Sequence, residues 1–310
     1  MTLRSILALS FTAEQIHKHY GIDIGPLLTA HGLNTSAAHT VISQADELSV
    51  LAALAPQLAH DPLAPVKLGS TFGLSGYGAY AMLLMSCATV YEAVQLGIRY
   101  QEMSYLFSRM SFSMDGEHAA LILEPCPLPT ELQRFIIDRD VAGTFQFLSL
   151  MQTLLGQQTR PLRVDIPYPE PAEAAFYRQL FQCPVQFGSP VARFVIPASL
   201  LRQPLPNANS TALALYRQQC DELLQQRRQI RTGALAEQVK KHLQLFHAGF
   251  PDVAECAATF GYSERQFRRL LQQENQRYQQ LLDEVRHAKA CHVLTTSQHS
   301  VEQITLQLGY

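Results

Sequence analysis

The chain has 310 residues, 47% of them hydrophobic and 16% charged, with 24 basic and 26 acidic side chains and a formal net charge of −2. That length suits about two domains of roughly 100–200 residues with a real core, and the near-neutral balance excludes both a protein that coats a polyanion by bulk charge and a disordered acidic tail. The balance is uneven: residues 1–206 carry 12 basic and 16 acidic side chains, net −4, whereas residues 207–310 carry 12 and 10, net +2, so the last third is the part suited to a polyanion.

In chain order, Thr12 stands as an N-cap with Gln15 at capping-box spacing, and Gly21 and Gly32 punctuate the next turns. Thr71 to Tyr91 is the most membrane-like stretch, but its apolar part, Ala79 to Met85, is far short of the ~20 residues a span needs and reads as a buried helix. The spacing Gly73, Gly76, Gly78 does not match a phosphate loop. Thr89 to Glu92 is a second capping-box pattern, followed by Val90, Ala93, Val94 and Ile98 at helical spacing. Ser111 to Met114 and Ala119 to Leu123 read as a hairpin around Asp115-Gly116. A helix follows over 132–155, then a strand at 162–166 and another pair of strands at 185–187 and 191–196. Pro197, Pro204, Pro206, Asn207, Asn209 and Ser210 predict a surface linker, with Leu213, Tyr216, Cys220, Leu223 and Leu224 on a helix leading out of it. Beyond it strand signals nearly vanish, and residues 233–310 read as a string of short helices.

The six cysteines, at 87, 126, 183, 220, 256 and 291, form no CxxC pair and read as reduced, mostly buried small apolar residues. No secretory signal pattern opens the sequence, so the expected location is the cytoplasm, away from membranes. No HExxH, GxSxG, P-loop or carboxylate-rich metal pattern occurs. The expectation is therefore neither an enzyme nor a holder of a metal or cofactor.

The most informative segment runs from Asp252 to Leu271. Asp252 after Pro251 caps a first helix, whose apolar face is Val253, Cys256, Ala257 and Phe260. Gly261 supplies the left-handed stop, and Ser263 caps a second helix. That helix puts Phe267, Leu270 and Leu271 on one face and Arg265, Arg268 and Arg269 on the other. This is the layout of a helix-turn-helix, whose second helix enters the major groove, and arginine forks suit guanine edges and phosphates. Val253 to Tyr262 also aligns without gaps against Val301 to Tyr310 at an offset of 48, sharing Val, Gly and Tyr, with Ser300 capping the second copy. Tyr278, Leu281, Leu282, Val285, Ala288 and Cys291 mark a long connecting helix between the copies. Lys240 and Lys241 lie on an amphipathic helix before the first copy, where phosphate contact and a solvated face are equally open readings.

With these residues in place, 233–310 resembles the DNA-binding domain of the AraC/XylS family of transcriptional regulators. Ala64 to Gly69, Ala88 to Val94 with Arg99-Tyr100, and Phe176 to Gly188 resemble that family's arabinose-binding-like N-terminal domain. The resemblance implies an α+β N-terminal domain followed by an all-α domain with two helix-turn-helix units, the second incomplete. It sets residues 1–205 as a regulatory, effector-binding or dimerisation domain, 206–232 as linker and leading helix, and 233–310 as the DNA-binding domain. The implied partners are double-stranded DNA, an unidentified small-molecule effector, a homodimer mate and RNA polymerase. The candidate DNA-contacting set is Arg265, Arg268, Arg269, Ser263, Gln266, Gln272, Lys240 and Lys241.

Family members run on for a few turns past the position of Tyr310. A chain ending there would lose phosphate contacts and leave the apolar face of Val301, Ile304 and Leu308 short of packing. The alternative for such a chain is an interaction module that heterodimerises with a complete regulator. In the front region, the aromatic residues 72, 77, 80, 91, 100, 105 and 107 serve a core or line a pocket, and Arg99 and Arg109 pair with structural carboxylates or with a carboxylate effector.

Overall fold

Strand β1 (Leu3–Ser5) pairs antiparallel with β2 (Val41–Ser43), a rung that brackets the first two helices of the front region. The computed structural model describes residues 3–31, 33, 41–154, 156, 160–229, 234–296 and 301–308. Between the two strands lie α1 (Leu7–Tyr20) and α2 (Gly25–Ala30). Helix α1 begins five residues before Thr12, so Thr12 is no cap. It is buried mid-helix and its hydroxyl donates to the Ala8 carbonyl at 2.8 Å. Gly21 ends the helix at φ 66°, while Gly32 falls outside the described residues. Ser43 caps α3 (Gln44–Leu54), accepting from the Asp46 amide.

Helices α4 (Ala64–Gly69), α5 (Ala79–Met85) and α6 (Val90–Arg99) follow, and the apolar stretch ends at a break over 86–89. The Thr89 hydroxyl accepts from the Glu92 amide at 3.2 Å, as the spacing predicts, but the Glu92 carboxylate reaches back to the Ala88 amide rather than to Thr89. The hairpin is β3 (Arg109–Asp115) and β4 (His118–Glu124). Its two-residue turn is Gly116-Glu117, one step later than expected, because Asp115 pairs with His118 as the last rung and Gly116 supplies φ 58°.

Helix α7 (Thr130–Leu154) then crosses the domain, and β5 (Arg163–Ile166), α8 (Ala174–Phe181) and β6 (Val185–Phe187) form a parallel crossover unit. Strand β7 (Ala192–Pro197) inserts between β4 and β5, giving the order β3-β4-β7-β5-β6. The strands at 185–187 and 192–197 are thus not neighbours. One sheet face carries Met110, Leu123, Phe194, Val164 and Ile166 against Ile137 and Val141 of α7 and Tyr177 and Phe181 of α8. Each large side chain so buried contributes about 1.5–3 kcal/mol. The other face is polar, with Asp165 held between Arg163 at 2.6 Å and Arg193.

Helices α4 and α7 approach backbone to backbone. A Cβ on Gly69 would lie 2.2 Å from the Arg139 carbonyl and 2.9 Å from the Gly143 nitrogen. Both obstacles are helical backbone, so neither yields as a flexible side chain would. Gly69→Ala is expected to cost at least about 1–3 kcal/mol, measured by chemical denaturation. An unchanged midpoint would show that the two helices can part freely.

The segment read as a surface linker is largely folded. Leu200, Leu201 and Leu205 are buried, and the next helix, α9 (Ser210–Gln229), lies on α5 with Cys220 and Leu224 inside a cluster containing Tyr80 and Leu84. Two bonds pin it further: Tyr100 donates to Asp221 at 2.8 Å and Arg227 to the Glu102 carbonyl at 3.0 Å. The prolines mark the entry to α9, but its apolar stripe finds a partner.

The last third comprises α10 (Leu235–Gln244), α11 (Val253–Thr259), α12 (Glu264–Gln273), α13 (Tyr278–Thr296) and α14 (Val301–Leu308). Ile304 and Leu308, expected to stand exposed, are 4% and 2% exposed, with α14 packed against α13. Ser300, Gly309 and Tyr310 lie outside the described residues. Among the cysteines, Cys87, Cys220 and Cys256 are buried, Cys126 and Cys183 half-buried, and Cys291 exposed. Among the described residues no helix is long and apolar enough to cross a membrane, and none forms a cluster fit to hold a metal ion.

Candidate functional site

Helix α11 is fixed at both ends by local chemistry. The Asp252 carboxylate accepts from the Ala254 and Glu255 amides at 2.8 Å, and the Glu255 carboxylate accepts from the Asp252 amide at 2.9 Å, completing the capping box. At its C-terminus Gly261 adopts φ 73°, so the Gly261 amide donates to Ala258 and the Tyr262 amide to Ala257, each at 3.0 Å. This paired closure satisfies the last carbonyls and turns the chain within four residues. Ser263 then caps α12, accepting from the Gln266 amide at 3.3 Å. Asn275, left-handed at φ 56°, stops α12 in the same way.

One face of α12 is locked into the core. Phe267 is fully buried, with its ring 6.1 Å from Phe260 and 6.3 Å from Tyr278, and the Tyr278 hydroxyl donates to the Pro251 carbonyl. Leu271 packs with Val239, Cys256 and Leu281. Glu274, just beyond α12, donates no charge to the surface face. Its carboxylate instead accepts the Leu235 and Ala236 amides at 2.8 and 2.9 Å, capping α10. Sequence reading missed this cap because it joins residues 39 positions apart.

The opposite face points outward. Arg265, Arg268, Arg269 and Gln272 follow i, i+3, i+4 and i+7 and are all exposed, as are Ser263 and Gln266. Arg268 pairs with Glu264 at 2.7 Å, an exposed pair within one helix, while Arg265 and Arg269 make no ion pair among the described residues. The two lysines are placed differently. Lys240 is 27% exposed and held by Glu284 at 2.7 Å. Lys241 pairs with Asp46 of α3 at 2.5 Å, across to the front region.

That pair belongs to a larger contact. Helix α10 packs on α3, bringing Gln238, His242 and Phe260 against Gln44, Ala45 and Leu48, and Leu245 and Phe246 share a core cluster with Leu48 and Leu51. A neighbouring cleft places Arg99, Arg109 and Glu124 opposite Ala258, Thr259 and Gly261. Arg109 is paired with Glu124 at 2.5 Å and Arg99 stacks over Tyr100, so both have protein partners. In the front region, Phe72, Tyr100, Tyr105 and Phe107 are buried in the core, Tyr91 is exposed, and Tyr77 and Tyr80 line a cavity.

His242 sits at the junction, edge-on to Phe246 and Phe260, and burial pulls its pKa down to about 4. Its folded pKa lies below the unfolded value of about 6.5, so its contribution to stability is complete above that pH and is lost as pH falls toward 4. About 3 kcal/mol is at stake. Asp138, pushed up to about 6 mainly by burial, acts with the opposite sign in the same window. The test is therefore the difference between wild type and His242→Phe in unfolding at pH 7 and pH 4.5. Wild type is expected to lose more stability than the variant, and parallel pH profiles would refute the assignment.

Comparison with known proteins identifies the family. A family model described as the arabinose-binding domain of AraC transcription regulator, N-terminal, matches residues 21–205. The ornithine utilization regulator of Pseudomonas aeruginosa is 27% identical over 97% of this chain and 91% of its own. An uncharacterized HTH-type transcriptional regulator of Mycobacterium tuberculosis is 28% identical over 87% and 78%. The crystal structure of the transcriptional regulator CdpR from Pseudomonas aeruginosa superposes with a TM-score of 0.50 at 20% identity, covering 93% of this chain and 89% of that one, a likeness of fold. The chain belongs to the AraC family of transcriptional regulators, in the group with the arabinose-binding type of N-terminal domain.

Proposed function

We propose that this protein is a sequence-specific, double-stranded DNA-binding regulator whose residues 233–310 read the operator and whose residues 1–205 receive a small-molecule signal. The observation that carries the reading is the outward arginine face of α12, held by a capped, core-anchored brace. Helices α11 and α12 form the first helix-turn-helix, with Arg265, Arg268 and Arg269 directed to base edges and phosphates, flanked by Ser263, Gln266 and Gln272. Helix α14 begins the second unit, with α13 setting the spacing between the two. A dimer mate and RNA polymerase are the further partners this reading carries.

Lys240 and Lys241 join the phosphate contacts only by exchanging Glu284 and Asp46 for phosphate oxygens. For Lys241 that exchange also releases the front region, so DNA contact and docking of α10 on α3 compete for one ammonium group. An effector shifts this balance only if it binds one arrangement better than the other. Helix α9, lying on α5 and leading into α10, is the element placed to carry that difference.

The test is selection of double-stranded genomic fragments by the full chain, followed by affinity measurement across a salt series. The expected result is enrichment of a common site whose affinity falls linearly with log salt. Fragments retained without any common sequence would contradict the reading.

A further inference from the structure

The front region contains a cavity of about 150 Å³ bounded by α5, α6, α7 and the β3–β4 hairpin, the size of an engineered interior cavity that takes up benzene. Among the described residues its lining includes no Asp, Glu, Lys, Arg or His, and its polar side chains are Tyr77, Tyr80, Ser104, Thr144 and Gln152. One side is an aromatic wall: the Phe147 ring lies 4.6 Å from Tyr77 and 6.1 Å from Tyr80. The polar groups at the wall are largely committed, since Tyr80 donates to the Gly97 carbonyl at 3.0 Å and Ser104 to the Gln101 carbonyl at 2.7 Å. The Tyr77 hydroxyl faces the same space, and Thr144 stands out for its burial. Thr144 is 6% exposed, and its hydroxyl oxygen is covered and has no hydrogen-bond partner among the described residues, so a turn about its Cα–Cβ bond is what presents it to the cavity. A helical threonine ordinarily bonds back to a carbonyl one turn earlier, and a buried hydroxyl left unpaired is costly.

We propose that this cavity binds a neutral, monocyclic aromatic molecule of roughly six to eight non-hydrogen atoms, with one hydroxyl or carbonyl pairing with Thr144. The ring edge meets the Phe147 and Tyr77 faces in the tilted geometry aromatic pairs prefer. A charged amino acid such as L-ornithine would be buried without a counter-charge, and a pentose such as L-arabinose would bring several hydroxyls to a wall that is mostly apolar. The proposal rests on the reading of residues 1–205 as the effector-receiving region and gives that region a ligand class. It also gives a route outward, because Tyr77, Tyr80 and Leu205 belong to the same cluster as Cys220 and Leu224 of α9.

The experiment is titration calorimetry of the full chain with p-cresol, toluene, L-ornithine and L-arabinose, alongside operator affinity with each compound present. The expected result is one-to-one binding of p-cresol and toluene at about 1 mM or tighter, with no heat from the two polar compounds. Thr144→Val should weaken p-cresol by about three- to tenfold and leave toluene unchanged. Val94→Phe, which fills the cavity from α6, should abolish both. Absence of p-cresol and toluene binding, or binding indifferent to both substitutions, overturns the proposal. If a polar compound alone binds and shifts operator affinity, the ligand class falls and effector control stands. If p-cresol binds as described and operator affinity is unmoved, the site stands and effector control by this ligand falls.

Discussion

Alanine at Arg265, Arg268 and Arg269 together is expected to lower operator affinity by about a hundredfold or more, because an arginine that reads a base is worth about 1–3 kcal/mol. The substitutions leave the fold alone. All three side chains are exposed, and the core-facing partners on α12 are Phe267 and Leu271. The single ion pair removed, Arg268 to Glu264, is an exposed pair at i, i+4, a class worth about 0.3–0.5 kcal/mol. Gel-shift titration and thermal melting of the triple variant separate the two effects. Lost affinity at an unchanged melting temperature is the expected outcome. Single variants then divide the face: loss at one operator position marks a base contact, whereas uniform loss with a shallower salt slope marks a phosphate contact.

The second large effect is expected far from that face, at Glu47→Gln. Glu47 is 1% exposed and pairs with Arg4 at 2.5 Å, and Arg4 also donates to the Tyr105 and Leu106 carbonyls at 2.6 Å. Arg139, fully buried, lies 3.9 Å from Glu47 and bonds Asp140 at 2.8 Å, and Asp140 accepts the Phe107 and Ser108 amides. Both guanidinium groups stack on the Phe107 ring, at 4.2 and 5.0 Å. Two cations and two carboxylates balance inside the domain, and neutralising Glu47 leaves a buried positive charge uncompensated. Breaking such a group by removing one member costs about 3–5 kcal/mol, a fall of roughly 6–20 °C in melting temperature for a domain of this size. The neighbouring Asp46→Ala is the internal control. It removes a partly exposed pair with Lys241 and the bond the Asp46 carboxylate accepts from the Ser43 hydroxyl at 2.6 Å, and should cost no more than about 2 kcal/mol. Equal losses for the two variants would show that the network carries no special weight.

The contrast between these two sites explains what the sequence could reveal. The arginine face was legible because every determinant is local: an aspartate cap, a left-handed glycine, a serine cap and apolar positions at helical spacing, all within twenty residues. The hairpin and α7 were legible for the same reason, since alternation and periodicity need no distant partner. Arg4, Glu47, Arg139 and Asp140 gave no such signal, because Arg4 meets Glu47 at a separation of 43 residues and Leu106 at 102. Lys241 and Asp46 lie 195 residues apart, so the exposed lysine gave no sign that it also pairs with the front region. Thr12 with Gln15 was misread because a cap spacing also occurs inside helices, where the threonine hydroxyl turns back to the preceding turn. The three-residue strands β1 and β2 are too short for alternation to show. The insertion of β7 between β4 and β5 is a choice among distant partners that no local pattern encodes.

If α12 sets its arginine face in the major groove, guanine N7 is the group there that reports contact most directly. Dimethyl sulfate protection on the selected operator, with wild type and the triple alanine variant, makes the measurement. One or more guanines are expected to be protected at N7 by wild type and exposed again with the variant at saturating protein. Protection that persists unchanged in the variant would contradict that placement.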